Sequence, residues 1–163
     1  MMEEKEKAWK TVSSKYLFRR PWLTVRCEDM LLPNGNHIPE YYILEYPDWV
    51  NTIAITKDGK FVFVRQYRPG LGRTSYELCA GVCDKEDASP LVSAQRELWE
   101  ETGYGKGNWQ EYMVISANPS THTNLIHCFL ATDVEPIDHQ HLEDTEDLSV
   151  HLLTFEEVRS EEH

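Results

Sequence analysis

The sequence lacks the features that would place the protein in a membrane or a secretory route. No apolar run approaches the roughly 20 residues that a transmembrane helix needs. Residues 1–7 are too polar for a secretory signal peptide. We therefore expect a cytoplasmic protein without membrane contacts. The four cysteines form no CxxC pair, so we expect free thiols that pack as small apolar groups. A zinc site at Cys79 and Cys83 is the weaker alternative.

Basic residues are scarce compared with acidic ones. The chain has 16 Lys+Arg against 28 Asp+Glu, which gives a net charge of −12. A surface of this sign repels the phosphate backbone, so we expect no nucleic-acid partner. A small anionic substrate is still compatible with this charge, because a bound divalent cation can invert the field inside one cleft. Acidic runs are usually solvated surface, so only their spacing can indicate a function.

The sequence is rich in short β-strand patterns. Apolar and β-branched residues alternate with polar ones in several segments, as in half-buried strands. The predicted strands are 22–32, 38–45, 50–56, 61–67, 109–115, 125–132 and 148–153. An Asn-Gly turn joins the first two as a hairpin. The first dozen residues are polar, and we expect them to be frayed.

Two helices are predicted among these strands, which indicates the α/β or α+β class. Ser89-Pro90 is a favourable helix start and Gly103 a natural stop. A capping box at 154–157 predicts a second, short helix. The period of 3.6 residues places one apolar stripe of the first helix against the core. That stripe comprises Leu91, Ala94, Leu98 and Thr102.

Three glutamates on the first predicted helix are close enough in sequence to be neighbours on its surface. Glu97, Glu100 and Glu101 stand at relative positions 0, 3 and 4, where like charges destabilise a helix by roughly 0.2–0.5 kcal/mol per pair. A hard cation such as Mg²⁺ would compensate this repulsion, because it prefers oxygen ligands. Arg96, four residues before Glu100, can hold that carboxylate. The alternative is an acidic face of the helix that is exposed to solvent and binds no metal.

The segment around these glutamates resembles the Nudix box. Residues 96–104, Arg-Glu-Leu-Trp-Glu-Glu-Thr-Gly-Tyr, match the second half of that motif at every specified position. The first half departs from it, since the stretch from Gly81 to Arg96 is one residue too long. Ala88 consequently stands where the family has Glu, with Glu86 and Asp87 just before it. One inserted loop residue explains the difference in spacing. The insertion would change the geometry of the loop more than that of a metal site.

Most of the chain resembles the ADP-ribose or ADP-sugar pyrophosphatase branch of that superfamily. The similar segments are 21–35, 63–69, 76–81 and 118–127. The resemblance implies a Nudix α/β/α sandwich, in which a mixed sheet lies between helices. It implies an N-terminal β-hairpin element at 1–46 for dimerisation and substrate contacts, and a Nudix hydrolase domain at 47–163. A homodimer is therefore expected.

The resemblance also implies a metal and a catalytic group. Glu97, Glu100 and Glu101 would bind Mg²⁺, with Mn²⁺ as a substitute, together with the backbone carbonyl of Ala80. Glu100 would thereby also serve the catalytic step. We assign the general base to Glu146, just before the last predicted strand. Glu143 is the reserve, and a third candidate is His122, since histidine titrates near neutral pH.

Substrate contacts are implied at three further positions. Arg68 would contact the diphosphate, which a guanidinium can bind through two parallel hydrogen bonds. Glu77, just before the metal loop, would contact the substrate or a group beside it. Trp22 would stack on the nucleobase, with Tyr41 or Tyr42 on the opposite face. The simpler alternatives are a surface arginine for Arg68 and a core tryptophan for Trp22; Trp49 and Trp99 we assign to packing.

The expected function is Mg²⁺-dependent hydrolysis of a nucleoside diphosphate sugar such as ADP-ribose, a small-molecule nucleotide. The products would be a nucleoside monophosphate and a sugar phosphate. The alternative within the superfamily is a hydrolase of nucleoside triphosphates, capped RNA or dinucleoside polyphosphates. A regulatory Nudix-like domain without activity and an acidic structural module are weaker hypotheses, because all three helix glutamates are kept.

Overall fold

The computed structural model describes residues 7–160. The chain forms two compact units, which we describe in turn. The first comprises residues 7–46 and 116–124, and the second comprises residues 47–115 and 125–160. No helix in the described part of the chain is long and apolar enough to span a membrane.

The first unit is a three-stranded antiparallel sheet in the order β1-β2-β3. Its strands are β1 (Lys10–Arg20), β2 (Leu23–Leu31) and β3 (His37–Glu45). Gly35, with φ at 86°, allows the tight turn between β2 and β3. The loop 116–124 joins β3 through Leu44, whose amide donates to the Thr121 carbonyl at 2.8 Å. The expected frayed start is therefore wrong from Lys10 onward, and Trp22 lies in a turn rather than in the strand.

The second unit is built on a seven-stranded mixed sheet. Six strands follow the order β10-β5-β6-β4-β9-β7, and β8 pairs with β9. β4 and β9 run parallel, whereas the other pairs are antiparallel. The strands are β4 (Trp49–Thr56), β5 (Phe61–Arg68), β6 (Arg73–Val82), β7 (Tyr104–Gly105), β8 (Asn108–Ile115), β9 (Ile126–Pro136) and β10 (Leu148–Leu153).

Both predicted helices are confirmed. Helix α1 (Pro90–Thr102) begins after Ser89, whose hydroxyl accepts a hydrogen bond from the Val92 amide at 3.4 Å. It ends at Gly103, whose φ of 73° lies in the left-handed region that favours glycine. Helix α2 (Phe155–Ser160) carries the predicted capping box, in which the Glu157 carboxylate accepts from the Thr154 amide at 2.7 Å.

Helix α1 contributes one buried face to the core of the second unit. Leu98 is fully buried among sheet residues that include Val62, Cys79 and Ala131. Burial of a side chain of that size stabilises the fold by about 1.5–3 kcal/mol. The predicted stripe is confirmed at Ala94, Leu98 and Thr102 and wrong at Leu91, which is exposed. Leu91 lies in the first helical turn.

The cysteines are free thiols, as predicted. Cys79 and Cys128 are buried, whereas Cys27 and Cys83 are half-buried. Burial raises the pKa of Cys79 well above its usual value, so the thiol is neutral.

Candidate active site

Strand β6 and helix α1 bring two predicted metal ligands together. Glu101 is only 4% exposed, although it was predicted on a separate, acidic face of the helix. Its Oε2 accepts a hydrogen bond from the Ala80 amide at 3.3 Å. Strand β6 and the helix are therefore joined at a buried carboxylate.

Glu97 lies against the same strand at Gly81. A Cβ added to Gly81 would stand 2.0 Å from the Glu97 Cδ, so only glycine leaves space for this carboxylate. The Glu97 carboxylate is the end of a flexible side chain, so it could move away from Gly81 at little cost in stability. The glycine therefore fixes where the carboxylate lies more than it stabilises the fold.

The two carboxylates lie in a poorly solvated environment of negative charge. Burial raises the pKa of Glu101 to about 7; hydrogen bonds from Cys79 and Ala80 oppose the rise, and the charge of Glu97 adds to it. Burial also raises the pKa of Glu97, against the opposing effect of Arg96. Such shifts show that local positive charge is insufficient for both groups to ionise freely.

Arg96 connects helix α1 to the preceding loop. Its Nη1 lies 3.0 Å from Glu97 and 2.8 Å from Glu100, and its Nη2 donates to the Val82 carbonyl at 3.0 Å. Its Nε donates to Asp87 at 3.2 Å. Although burial acts in the opposite direction, these carboxylates raise the pKa of Arg96, which stays charged. The sequence marked Asp87 only as an acid just before Ala88, and its contact with Arg96 was not predicted.

The donor atoms fit a hard divalent cation, because all are oxygens: three carboxylates and the Ala80 carbonyl. The carboxylates have not converged on one point. Within residues 7–160, three ligand atoms from carboxylate, imidazole or thiol groups lie within 4.8 Å of one another only at residues 138–141. The three glutamates do not form such a set. Arg96 contacts Glu97 and Glu100, while Glu101 accepts a hydrogen bond from Ala80 of β6. A cation here would draw the first two away from the guanidinium.

The two predicted substrate-binding residues of the sheet bind each other. The Arg68 Nε lies 3.0 Å from both Glu77 carboxylate oxygens, and its Nη2 lies 2.7 Å from Oε2. Hydrogen bonding to Glu77 raises the pKa of Arg68, and the charge of Glu101 adds to the effect. Gln66 and Ser75 also donate to the Glu77 carboxylate, at 3.3 and 3.2 Å.

Arg68 lines the same cleft, of about 400 Å³, as Ala80 and Gly81 near the end of β6. The rest of its lining comes from β4, β6 and the start of β9. These lining residues are Trp49, Val50, Asn51, Val82 and Ile126. Trp49, which we assigned to packing, is half-buried and also lines this cleft. A mostly apolar cavity with a few polar groups is the usual form of a small-molecule site.

Glu146 is half-buried and Glu143 is exposed, in the segment before β10. The Glu146 carboxylate accepts a hydrogen bond from the Glu143 amide at 2.9 Å. Its charge contributes to the raised pKa of Glu97 and of Glu101. Glu146 therefore interacts electrostatically with the helix carboxylates.

The remaining predicted site residues belong to the first unit. Trp22 is 77% exposed and has a positive φ of 64°, at the turn between β1 and β2. It is therefore not a core tryptophan. Tyr42 is exposed, whereas the Tyr41 hydroxyl donates to the Ser120 carbonyl at 2.6 Å. His122 packs against Tyr46, with the ring centroids 5.3 Å apart.

Comparison with known proteins agrees with the fold and the motif. The NUDIX domain matches residues 46–163, and the nucleoside diphosphate sugar hydrolase N-terminal domain matches residues 9–44. The chain belongs to the Nudix family. Its mixed sheet with few helices is the Nudix fold, and the protein is a Nudix pyrophosphohydrolase. Enzymes of this family generally use a divalent metal ion.

Individual relatives cover most of the chain. It is 31% identical over 150 residues to an ADP-ribose pyrophosphatase of Bacillus subtilis, covering 91% of this chain and 80% of the relative. It is 34% identical over 122 residues to the methanol dehydrogenase activator of Bacillus methanolicus, covering 75% of this chain and 65% of the relative. A crystal structure of an ADP compounds hydrolase superposes with a TM-score of 0.80 at 21% identity. That superposition covers 93% of this chain and 81% of the other.

Proposed function

We propose that this enzyme hydrolyses the diphosphate bond of nucleoside diphosphate sugars, with ADP-ribose as the first candidate. One observation carries the proposal: a single cleft is lined by Arg68 and by Ala80 and Gly81 of β6, against which Glu97 and Glu101 pack. An arginine and a cluster of hard oxygen donors are what a diphosphate and its cation require. The name of the Bacillus subtilis relative supports ADP-ribose as the substrate.

Glu97, Glu100, Glu101 and the Ala80 carbonyl are proposed to hold Mg²⁺, or Mn²⁺ in its place. When bound, the cation would neutralise charge on the diphosphate and acidify a water molecule. Arg96 would keep Glu97 and Glu100 near the helix surface until then, through its contacts of 3.0 and 2.8 Å.

Glu146 is proposed as the general base. It would accept a proton from water while the water oxygen bonds to one phosphorus and the bridging P–O bond breaks. The leaving phosphate would depart with its charge balanced by Arg68. The half-buried position of Glu146 and its electrostatic effect on Glu97 and Glu101 support this role. Glu143 is exposed and is the second choice.

The first unit is proposed to contribute the nucleobase contact and a homodimer interface. Trp22 presents a large, flat ring that is 77% exposed, as stacking on a base requires. Tyr42 is also exposed and could offer a second ring. The strands β1 and β2 expose many large apolar side chains, which a partner subunit could cover. Those side chains are Val12, Tyr16, Leu17, Phe18, Leu23 and Leu31.

A substrate comparison with Mg²⁺ tests the proposal. ADP-ribose, GDP-mannose, UDP-glucose, ATP and a diadenosine polyphosphate are incubated with the enzyme, and the products are separated by chromatography. We expect ADP-ribose to give AMP and ribose phosphate, with little release of pyrophosphate from ATP. A preference for ATP would refute the nucleotide-sugar proposal and leave the pyrophosphohydrolase assignment intact.

Paired variants test the proposed catalytic carboxylates. Glu100→Gln and Glu146→Gln should each lower kcat by about 10²–10⁴-fold, the usual range for loss of a proton-transferring or charge-bearing group. Glu156→Gln, on the exposed first turn of α2, is the matched control and should leave kcat unchanged. Equal activity of Glu146→Gln and the control would remove Glu146 from the mechanism.

A further inference from the structure

The segment between β9 and β10 carries a cluster of metal-binding side chains that the pyrophosphatase proposal does not use. Asp138, His139 and His141 each offer one ligand atom, and these atoms lie within 4.8 Å of one another. We propose that they form a second cation site, specific for a borderline transition metal such as Zn²⁺ or Ni²⁺.

Asp138 already joins the two imidazoles through different carboxylate oxygens. Its Oδ1 lies 2.7 Å from the His139 Nδ1, and its Oδ2 lies 3.0 Å from the His141 Nε2. The two rings are 4.4 Å apart between centroids. Zinc–nitrogen and zinc–oxygen bonds are about 2.0–2.2 Å long, so ligand atoms around one ion lie roughly 3–3.5 Å apart. Small side-chain rotations therefore suffice to enclose an ion.

The backbone of this segment is fixed to the end of helix α1. The Ile137 and Asp138 amides donate to the Gly103 carbonyl at 2.9 and 3.2 Å, and the His141 amide donates to the Glu100 carbonyl at 2.8 Å. A Cβ on Gly103 would stand 2.3 Å from the Asp138 carbonyl oxygen, so the contact requires glycine. Ligands on a backbone held at both ends lose less entropy when they bind an ion.

The Gln140 side chain, between the two histidines, adds a further attachment to helix α1. Its Nε2 donates to the Glu101 carbonyl at 2.7 Å. These bonds are accepted by the backbone carbonyls of Glu100, Glu101 and Gly103. The carbonyls lie at the C-terminal end of the helix, where the negative end of the helix dipole favours a cation. The site therefore combines side-chain ligands, a fixed backbone and a favourable local field.

The ligand chemistry separates this site from the glutamate site. Two imidazoles and one carboxylate suit Zn²⁺, Ni²⁺ or Cu²⁺, whereas Mg²⁺ prefers oxygen ligands alone. His139 is exposed and His141 half-exposed, which leaves coordination positions open to water. We therefore expect a surface site that binds an ion reversibly and is not required for folding.

Trp99 provides a direct signal of occupancy. Its ring packs on the His141 imidazole, with centroids 4.2 Å apart and planes inclined by 31°. Ni²⁺ and Cu²⁺ quench nearby indole fluorescence, so an ion on His141 should quench Trp99. This signal reports binding without any measurement of hydrolysis, so it is independent of the proposed function.

The test is a titration of the protein with NiCl₂ in the presence of excess Mg²⁺, which occupies oxygen-rich sites. Isothermal titration calorimetry should give one Ni²⁺ per chain, and tryptophan fluorescence should fall in parallel. His139→Gln/His141→Gln should weaken the affinity at least tenfold and abolish the quenching. His151→Gln, a histidine on β10 that bonds to Ser149, is the matched control and should bind Ni²⁺ as the unaltered protein does.

Two further variants keep the test decisive. Trp99→Phe should bind Ni²⁺ with unchanged stoichiometry yet lose the quenching, which shows that the signal comes from this indole. Asp138→Asn should weaken binding while both histidines remain, and thermal melts without metal should show that each variant is folded. Equal Ni²⁺ affinity of the double variant and the His151→Gln control would overturn the proposal. Binding of the same strength by Mg²⁺ alone would also overturn it.

Discussion

Arg68 and Glu77 form a two-point ion pair between the neighbouring strands β5 and β6. The guanidinium contacts both carboxylate oxygens at 2.7 to 3.0 Å. A guanidinium has five donors, and this pair uses only part of them. Glu77 can therefore orient Arg68 in the cleft while other donors remain for a diphosphate.

Replacing Arg68 should weaken productive substrate binding. Arg68→Ala removes hydrogen bonds to a charged ligand, worth about 1.5–3 kcal/mol, and should lower kcat/KM by about 10–100-fold. Glu77→Gln should have a smaller effect, because the arginine stays but is less well oriented. Steady-state kinetics with ADP-ribose and a double-mutant cycle measure the coupling. Arg65→Ala, on the same strand beside Tyr76, is the control. Additive effects of the two substitutions would contradict the orienting role.

The contact between Gly81 and Glu97 predicts a loss of activity without a comparable loss of stability. In Gly81→Ala the new Cβ must displace the Glu97 carboxylate, which can swing away at low cost. We expect kcat to fall by at least about tenfold, since metal-site geometry is lost, and the free energy of unfolding to change by less than about 1 kcal/mol. Gly70→Ala is the matched control, because nothing lies within 4 Å of its added Cβ. Similar activity of both variants would refute the argument.

The buried carboxylate of Glu101 predicts a stability that depends on pH when metal is removed. Burial raises its pKa in the folded protein to about 7, above the usual value of 4.5. The folded state therefore binds a proton more tightly than the unfolded chain, and stability falls as pH rises from 4.5 through 7. In EDTA at pH 8, Glu101→Gln should be more stable than the original by on the order of 2 kcal/mol. At pH 4.5 the advantage should vanish.

Chemical denaturation at the two pH values measures this difference. The same Glu101→Gln variant should be inactive, so stability and activity change in opposite directions. Addition of Mg²⁺ should stabilise the original protein more than the variant, because only the original has the full ligand set. If the variant is less stable than the original protein at pH 8, burial of the ionised Glu101 carboxylate does not destabilise the fold.

An exposed cluster on the sheet predicts the opposite pH dependence. Hydrogen bonds from Lys106 and Lys57 lower the pKa of Glu135 to about 2. A carboxyl with a lowered pKa stabilises the fold above its ordinary pKa, and this contribution is lost as pH falls from 4.5 towards 2. Glu135→Gln should therefore melt at a slightly lower temperature at pH 7, and the difference should shrink in acid. High salt should also reduce it. A difference that grows in acid would contradict the pairing.

Helix α1 shows how much the sequence could predict. Its start at Ser89 and its end at Gly103 follow from local hydrogen-bonding rules and were placed to the residue. The inward position of Glu101 could not be predicted, because an acidic side chain is normally assigned to solvent. Its burial depends on the Ala80 amide and on Cys79, which approach only when β6 forms. Long-range contacts of this kind leave no local signal.

Three strands escaped prediction: β1, β6 and the two-residue β7 (Tyr104–Gly105). The first two did so for a related reason. β1 is exposed along its whole length, so no alternation between buried and polar positions marks Lys10–Arg20. Its order comes from pairing with β2. Strand β6 (Arg73–Val82) has a mostly polar first half. This half forms a strand because β5 supplies its hydrogen-bond partners. Among the site residues, the position of Asp87 opposite Arg96 also depended on the path of a loop.

The contacts of Arg96 hold both ends of the connection between β6 and α1. The guanidinium attaches to the Val82 carbonyl on one side and to its own helix on the other, so both ends of the connection are anchored. Between the anchors, residues 84–86 are exposed. Asp84 and Asp87 also pair with the guanidinium, at 3.3 and 3.2 Å, so Lys85 and Glu86 are the exposed positions between two attached residues. An engineer seeking a place to graft a peptide tag beside the cleft would find one here.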